Sequence, residues 1–469
     1  MEKYDYDAVI IGAGISGLVC GCYLAKAGMK VLIVEKNAKP GGYCTSFTRG
    51  GFQFDACVQS LSSLRDDGNI RIALKELEIE RRLEIKRYNP SDIIITPDLK
   101  LHLWNNLNEM IQEFQSNFPH ETNNIDEFFN YINNIEGISF MPLRSIAFQV
   151  LLDKYFTDYN LKSILSFLLL GNSGLPAKRI SAFAGTVVYK EFILDGGYYP
   201  DDSIQSFPDL LMERFKEYGG NIILSCVAKR IKVNNNKAEG IKLDRKDDVT
   251  AKFVISNVDA SQTYLSLIGS ELIGNDMINL IKNIEPSLSS FILYLGTDEK
   301  IIDIPSDSLI SFLPDYDIDK IYHLTVSGDV DSVDWFTTRL SYSKKRVLMH
   351  VNVPYHNEKY WKENKGRLID VFIKKMECIM PNISSHILYK DAATPLTLHK
   401  WTLNYKGAAF GWAWTPSQFA LKELTQTTSI QNFYQTGHWT TLAQGVSGVT
   451  YLGRRLAKLI LSKKKGAIV

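Results

Sequence analysis

The hydrophobic pattern of this chain begins with Asp7-Ala8-Val9-Ile10-Ile11, a near-continuous apolar run of the length a buried parallel strand requires. A glycine-rich turn follows, Gly12-Ala13-Gly14-Ile15-Ser16-Gly17. The period then lengthens to that of a helix through Leu18, Tyr23, Leu24 and Ala27, with Gly28 as its C-cap. Lys30-Val31-Leu32-Ile33-Val34 reads as a second strand that ends at Glu35. Farther on, Phe207, Leu210, Leu211 and Phe215 lie at helical spacing between Ser206 and Tyr218, and Gly219-Gly220 stops them. Strand runs follow at Asn221 to Leu224, at Val227 to Val233 and, past the turn Asn234 to Lys237, at Ala238 to Leu243. From Leu64 to Tyr189 the period is helical. Phe140, Leu143, Phe148, Leu151 and their apolar neighbours Met141 and Val150 read as core, and Leu161 to Leu170 as a buried helix rather than a lid. The stretch from Ser261 to Ala393 is mixed and predicts little.

The opening turn carries chemistry. Gly12 permits a tight turn, Gly14 lets the backbone approach a pyrophosphate, and Gly17 allows the helix to lie close on the sheet, while the free N–H groups of the helix start face the anion. Glu35 falls where a carboxylate accepts both ribose hydroxyl protons and repels a 2′-phosphate. Strand, turn, helix, cap and acid together predict dinucleotide binding. Beyond Glu35 and Lys36 stand Gly41-Gly42 and then Gly50-Gly51-Phe52-Gln53-Phe54-Asp55. A glycine pair there suits a flavin dinucleotide, whose ribityl side the backbone must approach without side-chain bulk.

These residues resemble the FAD-dependent amine oxidase and phytoene desaturase superfamily, within the branch of bacterial-type phytoene desaturases, carotenoid isomerases and retinol saturases. The resemblance implies an α/β, Rossmann-type FAD-binding domain built from separated segments (1–63, 196–260, 394–469), with an inserted α+β substrate domain (64–195, 261–393). It implies FAD contacts from the loop Gly12, Ala13, Gly14, Ile15, Ser16 and Gly17, from Glu35 and Lys36, from Gly41 and Gly42, and from the backbone N–H and C=O of Val227 to adenine. Ala251 to Asp259 resembles the strand that leaves the second FAD segment. The late glycine-rich stretch also finds its place: Gly437 matches a glycine beside the ribityl chain, and Gly445-Val446 match the start of a helix whose dipole faces the flavin pyrimidine. His438 stands where the family usually has Asp.

Thr394 to Trp414 resembles a segment that the family places near the flavin ring, so Trp401, Tyr405, Phe410 and Trp412 are candidate substrate-lining residues, with core or seam packing as the alternative. Lys400 and Lys406 sit in no recognisable version of the lysine motif of amine oxidases, and no catalytic residue is assigned. The implied activity is desaturation, saturation or isomerisation of a carbon–carbon bond in a lipophilic polyene or isoprenoid substrate. The alternatives are amine oxidation and a redox-inactive flavin scaffold. No second strand-GxGxxG-helix unit appears after residue 60, so electrons would pass through the substrate pocket or an external acceptor or donor.

Composition narrows the rest. A chain of 469 residues exceeds one ordinary core, and 53 basic against 52 acidic side chains leave no bulk field to attract nucleic acid. Met1 to Asp7 lack the order of a secretory signal, which favours a cytoplasmic protein with reduced, structural cysteines. No apolar run reaches the roughly 18 residues of a spanning helix. The helix ending in Lys463, Lys464 and Lys465 reads as a solvated terminus, with peripheral contact to anionic lipid as the alternative. His323, His350, His356 and His386 have no metal-type spacing and read as surface or structural, with no metal expected.

Overall fold

Two seven-stranded sheets carry the fold in a computed structural model that describes residues 4–201, 203–298, 308–341, 345–419, 421–441 and 443–464. The first sheet has five parallel strands in the order Asn221–Ile223, Val31–Val34, Tyr6–Ile11, Val249–Ser256 and Phe433–Gln435. The hairpin Ala228–Asn234 and Lys237–Leu243 extends it by pairing antiparallel with the start of Val249–Ser256. The strand periodicity sends Ala8, Ile10, Val31, Ile33, Phe253 and Ile255 into a core beneath the helices Ile15–Lys26, Ser206–Glu217 and Gly445–Lys464. Val9, Ile11, Leu32, Val34 and Val254 enter a second core on the other face. Both faces are covered, which is why these strands are apolar throughout.

The second sheet runs Ile387–Ala393, Ser289–Thr297, Arg346–Val353, Phe336–Leu340, Leu309–Phe312, Asp92–Ile95 and Lys100–Leu103. Its one parallel pair joins Leu309–Phe312 to Asp92–Ile95, so two stretches remote in sequence share a single sheet. Phe291, Leu293, Leu295, Ile310, Phe336, Val347, Met349 and Val351 face a large core shared with surrounding helices. The alternate positions Ser311, Thr337, Arg339 and His350 therefore lie on the opposite face. The chain is thus mixed α/β, with a Rossmann-type parallel sheet and a second α+β layer.

The sequence reading and the structure agree on most elements. Gly28 follows the first helix at φ 77°, and the last helix spans Gly445–Lys464, ending in Lys463 and Lys464. Lys465 and residues 1–3 lie outside the described residues. The helix Tyr159–Ser173 is buried at Leu161, Ile164, Leu165 and Leu168, as its apolar stripe predicts. No described helix is long and apolar enough to cross a membrane. Met141 and Val150 differ from the reading: both side chains are half exposed, Met141 because the segment Gly137–Ser145 is a 3-10 turn and not a continuous helical stripe, and Val150 because it lies on the outer face of the helix Phe148–Tyr155, whose Phe148, Leu151 and Leu152 turn inward.

Two helices set the geometry of everything that follows. Gly453, in the middle of the last helix, lies against the first: a Cβ there would fall 2.5 Å from the Ser16 carbonyl oxygen and 3.1 Å from the Val19 Cβ. Arg454 adds a bidentate pair to Glu76 at 2.6 Å, which ties the last helix to Asn69–Glu76. Gly453→Ala is expected to overpack this contact and cost on the order of 2 kcal/mol. Gly366, in the helix Glu358–Met376, has open space around its Cβ position, so Gly366→Ala is expected to add about 0.5–1 kcal/mol. Thermal unfolding of the two variants checks the opposite signs; equal behaviour would mean that the helix approach is not tight.

Candidate functional site

A cavity of about 350 Å³ lies between the carboxyl ends of the parallel strands and the polar face of the second sheet. Ile11, Val34, Asn257 and Thr436, which end or directly follow four of those strands, form one wall. This is where an open α/β sheet leaves room for a ligand. Gly12, Gly14, Ile15 and Ser16 line it, whereas Ala13 and Gly17 do not. The backbone N–H of Ala13 instead donates to Glu35 Oε2 at 2.8 Å, and Gly17 lets the helix seat against the loop beneath. Gly41 continues the cradle. Its N–H donates to the Ala13 carbonyl at 2.9 Å, and its φ of 118° and the 64° of Gly42 are open to glycine alone at no steric cost.

Glu35 is buried at the end of its strand. Its Oε1 accepts the Asn37 N–H at 2.8 Å, and the carboxyl is raised above its ordinary pKa by burial, with the Asn37 and Ala13 N–H groups opposing. Lys36 lines the same end, donates to the Lys400 carbonyl at 3.2 Å, and is lowered by burial. Val227 also lines the cavity, but the structure corrects the expectation for its backbone. Its N–H donates to Asp244 Oδ1 at 3.0 Å, and its carbonyl accepts the Asp244 N–H at 3.0 Å. An N–H has one donor, so that group is already committed within the protein.

The late glycine segment closes the opposite wall. Gly437, His438, Gly445 and Val446 all line the cavity. Gly445, at φ 66°, starts the last helix, so two helix N-termini, at Ile15 and Gly445, converge on one space. Ser16 Oγ and Thr436 Oγ1 share a hydrogen bond of 2.7 Å across 420 residues of sequence. Asn257, which the sequence reading did not single out, donates from Nδ2 to the carbonyls of Gly12 and Gly14 at 3.2 and 3.3 Å. Its place directly after a parallel strand is the signal that could have found it. His438 is half-buried beside Asn404, with Nδ2 to Nε2 at 3.4 Å, and desolvation holds its imidazole down to about 4. Its ring is therefore neutral at pH 7.

Of the four candidate aromatics, Phe410 lines the cavity and the other three stand elsewhere. Trp401 donates its indole N–H to the Gly42 carbonyl at 3.1 Å, which props the glycine cradle from behind. Tyr405 is exposed. Trp412 is fully buried against Trp439, with ring centroids 4.8 Å apart, and donates to the Trp439 carbonyl at 3.0 Å. The turn that carries these residues puts Tyr405 outward and Trp412 inward, which spacing alone did not distinguish. In their place Phe167, Leu168, Val188, Phe192 and Trp414 supply the apolar wall, and His350, Ser311 and Thr337 supply the face of the second sheet. His350, read from the sequence as surface or structural, is a buried wall residue. Its Nε2 meets Ser290 Oγ at 2.8 Å, and burial lowers it to about 4.

The residues fit a flavin dinucleotide in three respects. The backbone cradle is glycine where side chains would intrude: a Cβ at Gly12 would fall 2.9 Å from Val258 Cγ1, and one at Gly437 2.6 Å from Asn257 Oδ1. Two helix ends present N–H groups to an anion, and Glu35 keeps acceptor capacity. Among the described residues no group of three or more His, Cys, Asp or Glu is placed to hold a metal.

Comparison with known proteins agrees with this geometry. The profile of the family described as flavin containing amine oxidoreductase matches residues 15–461. The chloroplastic prolycopene isomerase of Daucus carota is 24% identical, over 96% of this chain and 79% of that protein. The all-trans-retinol 13,14-reductase of Danio rerio is 23% identical, over 92% of this chain and 82% of its own. Among solved structures, an oxidoreductase from Methanosarcina mazei superposes with a TM-score of 0.68 at 16% identity, covering 96% of this chain and 99% of that one, a likeness of fold.

Desolvated neutral imidazoles carry a pH signature. His350 and His438 bind protons more readily unfolded, near 6.5, than folded, near 4, so stability falls as pH drops through that window. Each is expected to remove about 1 kcal/mol between pH 7 and pH 5.5. His438→Gln should flatten its share of that slope in urea unfolding midpoints; an unchanged slope would mean that the ring titrates as in water.

Proposed function

The chain belongs to the flavin-containing amine oxidoreductase family and is an FAD-dependent enzyme, and from that premise we propose that it acts on carbon–carbon double bonds of a lipophilic, isoprenoid-like substrate. One observation carries this reading. Among the described residues, the part of the cavity wall drawn from 64–195 and 261–393 holds no carboxylate and no lysine: its side chains are apolar, amide, hydroxyl or the neutral imidazole of His350. Hydride removed from a polyene leaves a delocalised cation, which rotates and takes the hydride back in isomerisation, with no proton moved, or releases one proton to water in desaturation, so the wall needs no carboxylate or lysine base. The names of the two relatives above, an isomerase of prolycopene and a reductase of retinol, support the same substrate class.

Lys36 is the one lysine on the wall among the described residues, and it lies at the Glu35 end. Lys400 pairs with Glu358 at 3.0 Å, and Lys406 is exposed over the Tyr405 ring, so neither is placed to do what a lysine of an amine oxidase does.

Bound FAD supplies hydride acceptance and donation. In this reading segments 1–63, 196–260 and 394–469 hold it, and the remaining segments hold the substrate. Gly12 and Gly14 admit the pyrophosphate to the backbone, Gly41 and Gly42 admit the ribityl side, and the helix end at Ile15 faces the pyrophosphate charge. Glu35 accepts the ribose hydroxyls. The helix end at Gly445 offers a positive field to the flavin, beside His438. Phe167, Leu168, Phe192 and Phe410 exclude water and orient the substrate chain. Electrons leave or arrive through an external acceptor or donor.

Glu35→Gln is expected to weaken FAD binding roughly tenfold, read by titrating apoprotein with FAD. The reaction class is tested by adding polyenes, isoprenoids and amines in turn, under anaerobic conditions, to the oxidised holoenzyme and to the photoreduced one. Isoprenoids or polyenes should change the flavin absorbance, and amines should not. An amine that bleaches the oxidised protein while every isoprenoid is silent would replace this reading by amine oxidation.

A further inference from the structure

Beside the main cavity lies a smaller recess of about 40 Å³, sharing Gln59, Ser60, Asn172, Phe192 and Leu309 with it. Its own contribution is polar: Ser62, Ser91, Asp92 and Arg339 open onto it. Arg339 projects from the polar face of the second sheet and is 8% exposed. Its guanidinium lies 4.4 Å from the Tyr88 ring centroid and 4.3 Å from that of Tyr199. It donates to the Gln59 carbonyl. Among the described residues no carboxylate forms an ion pair with it, although Asp92 is near enough to act on it electrostatically and sits on the same recess. One of the five N–H donors of the guanidinium is thus accounted for.

A charge held this deep without an ion pair is costly unless an acceptor meets it. Two further atoms are unsatisfied at the same place: Ser62 Oγ and Gln59 Oε1 are buried with no hydrogen-bond partner. The backbone leaves the recess open on purpose of shape, since Gly197, at φ 80°, would place a Cβ 2.6 Å from Ser91 Cβ. Stacked rings fix the guanidinium plane, an amide oxygen and hydroxyls surround it, and the volume suits a terminal functional group rather than a chain.

We propose that this recess recognises the oxygenated end of the substrate, a hydroxyl or carboxylate whose oxygen accepts from Arg339 while its chain runs into the apolar cavity. The inference rests on the lipophilic-substrate reading above and narrows it: a pure hydrocarbon leaves the remaining guanidinium donors, Ser62 Oγ and Gln59 Oε1 without partners. Asp92 separates the two oxygen classes, because it can accept from a hydroxyl but repels a carboxylate when ionised.

The test uses FAD-loaded protein and three isoprenoids of one skeleton, farnesol, farnesoate and farnesene, with binding read from perturbation of the flavin absorbance, independent of turnover. At least one oxygenated ligand is expected to bind tenfold or more tighter than farnesene, with tighter binding of farnesoate than farnesol pointing to the carboxylate. In Arg339→Gln the preference should collapse to about onefold with farnesene affinity unchanged. Ser62→Val, which replaces a hydroxyl of the recess by an apolar group and leaves Arg339 in place, should lower the preference severalfold and guards against a misfolded Arg339 variant. Equal binding of all three ligands by the wild type, or an undiminished preference in both folded variants, overturns the inference and leaves the wider reading standing. If none of the three binds, the lipophilic-substrate reading itself fails, and this inference with it.

Discussion

The close approach of two helices, Ile15–Lys26 and Gly445–Lys464, is the constraint on which the rest of the molecule depends. It is possible because Gly453 presents no side chain where the Ser16 carbonyl and Val19 must pass. Once the helices touch, their N-termini open onto the same space, and Ser16 and Thr436 bond to each other. Asn257 completes the joint by accepting no compromise of spacing: it bonds two carbonyls of the first loop while its own Oδ1 crowds Gly437. The glycine cradle is therefore a junction of four strand ends, and each glycine in it answers to a particular neighbour.

The second sheet does a different job with the same periodicity. Its alternation sends Phe291, Leu293, Val347, Met349 and Val351 outward into a helical core, which supplies most of the apolar burial of that half. That leaves the inner face free to be polar, and Ser311, Thr337, Arg339 and His350 occupy it. Beside them on that face Ile292, Tyr294 and Leu348 pack with Phe54 in a smaller core, and the polar part looks across the cavity at the cradle.

Burial governs the charge state of the space between. Glu35 is raised, Lys36 is lowered, and His350 and His438 are held near 4, all chiefly by loss of water. The fixed fields that remain are the two helix ends, which need no titratable group and do not change with pH. A His at position 438 thus gives the site a neutral hydrogen-bonding ring in place of a carboxylate.

The local chemistry of the site was legible in the sequence alone. Gly12 to Gly17, Glu35, Gly41-Gly42 and Gly437 to Gly445 are short-range signals, because tight turns, helix starts and strand ends are set by residues a few positions apart, and the structure gathers nearly all of them around one cavity. The buried helix Tyr159–Ser173 and the parallel strands were readable for the same reason: their apolar periods are local. What only the tertiary structure decided is pairing and facing. Nothing in a one-dimensional pattern says that Leu309–Phe312 pairs with Asp92–Ile95, that Asp244 takes the Val227 N–H, or that Trp412 turns inward while Phe410 meets the cavity. Those outcomes are contacts between segments far apart in the chain, selected by how whole layers pack, and a residue's neighbours in sequence carry no record of them.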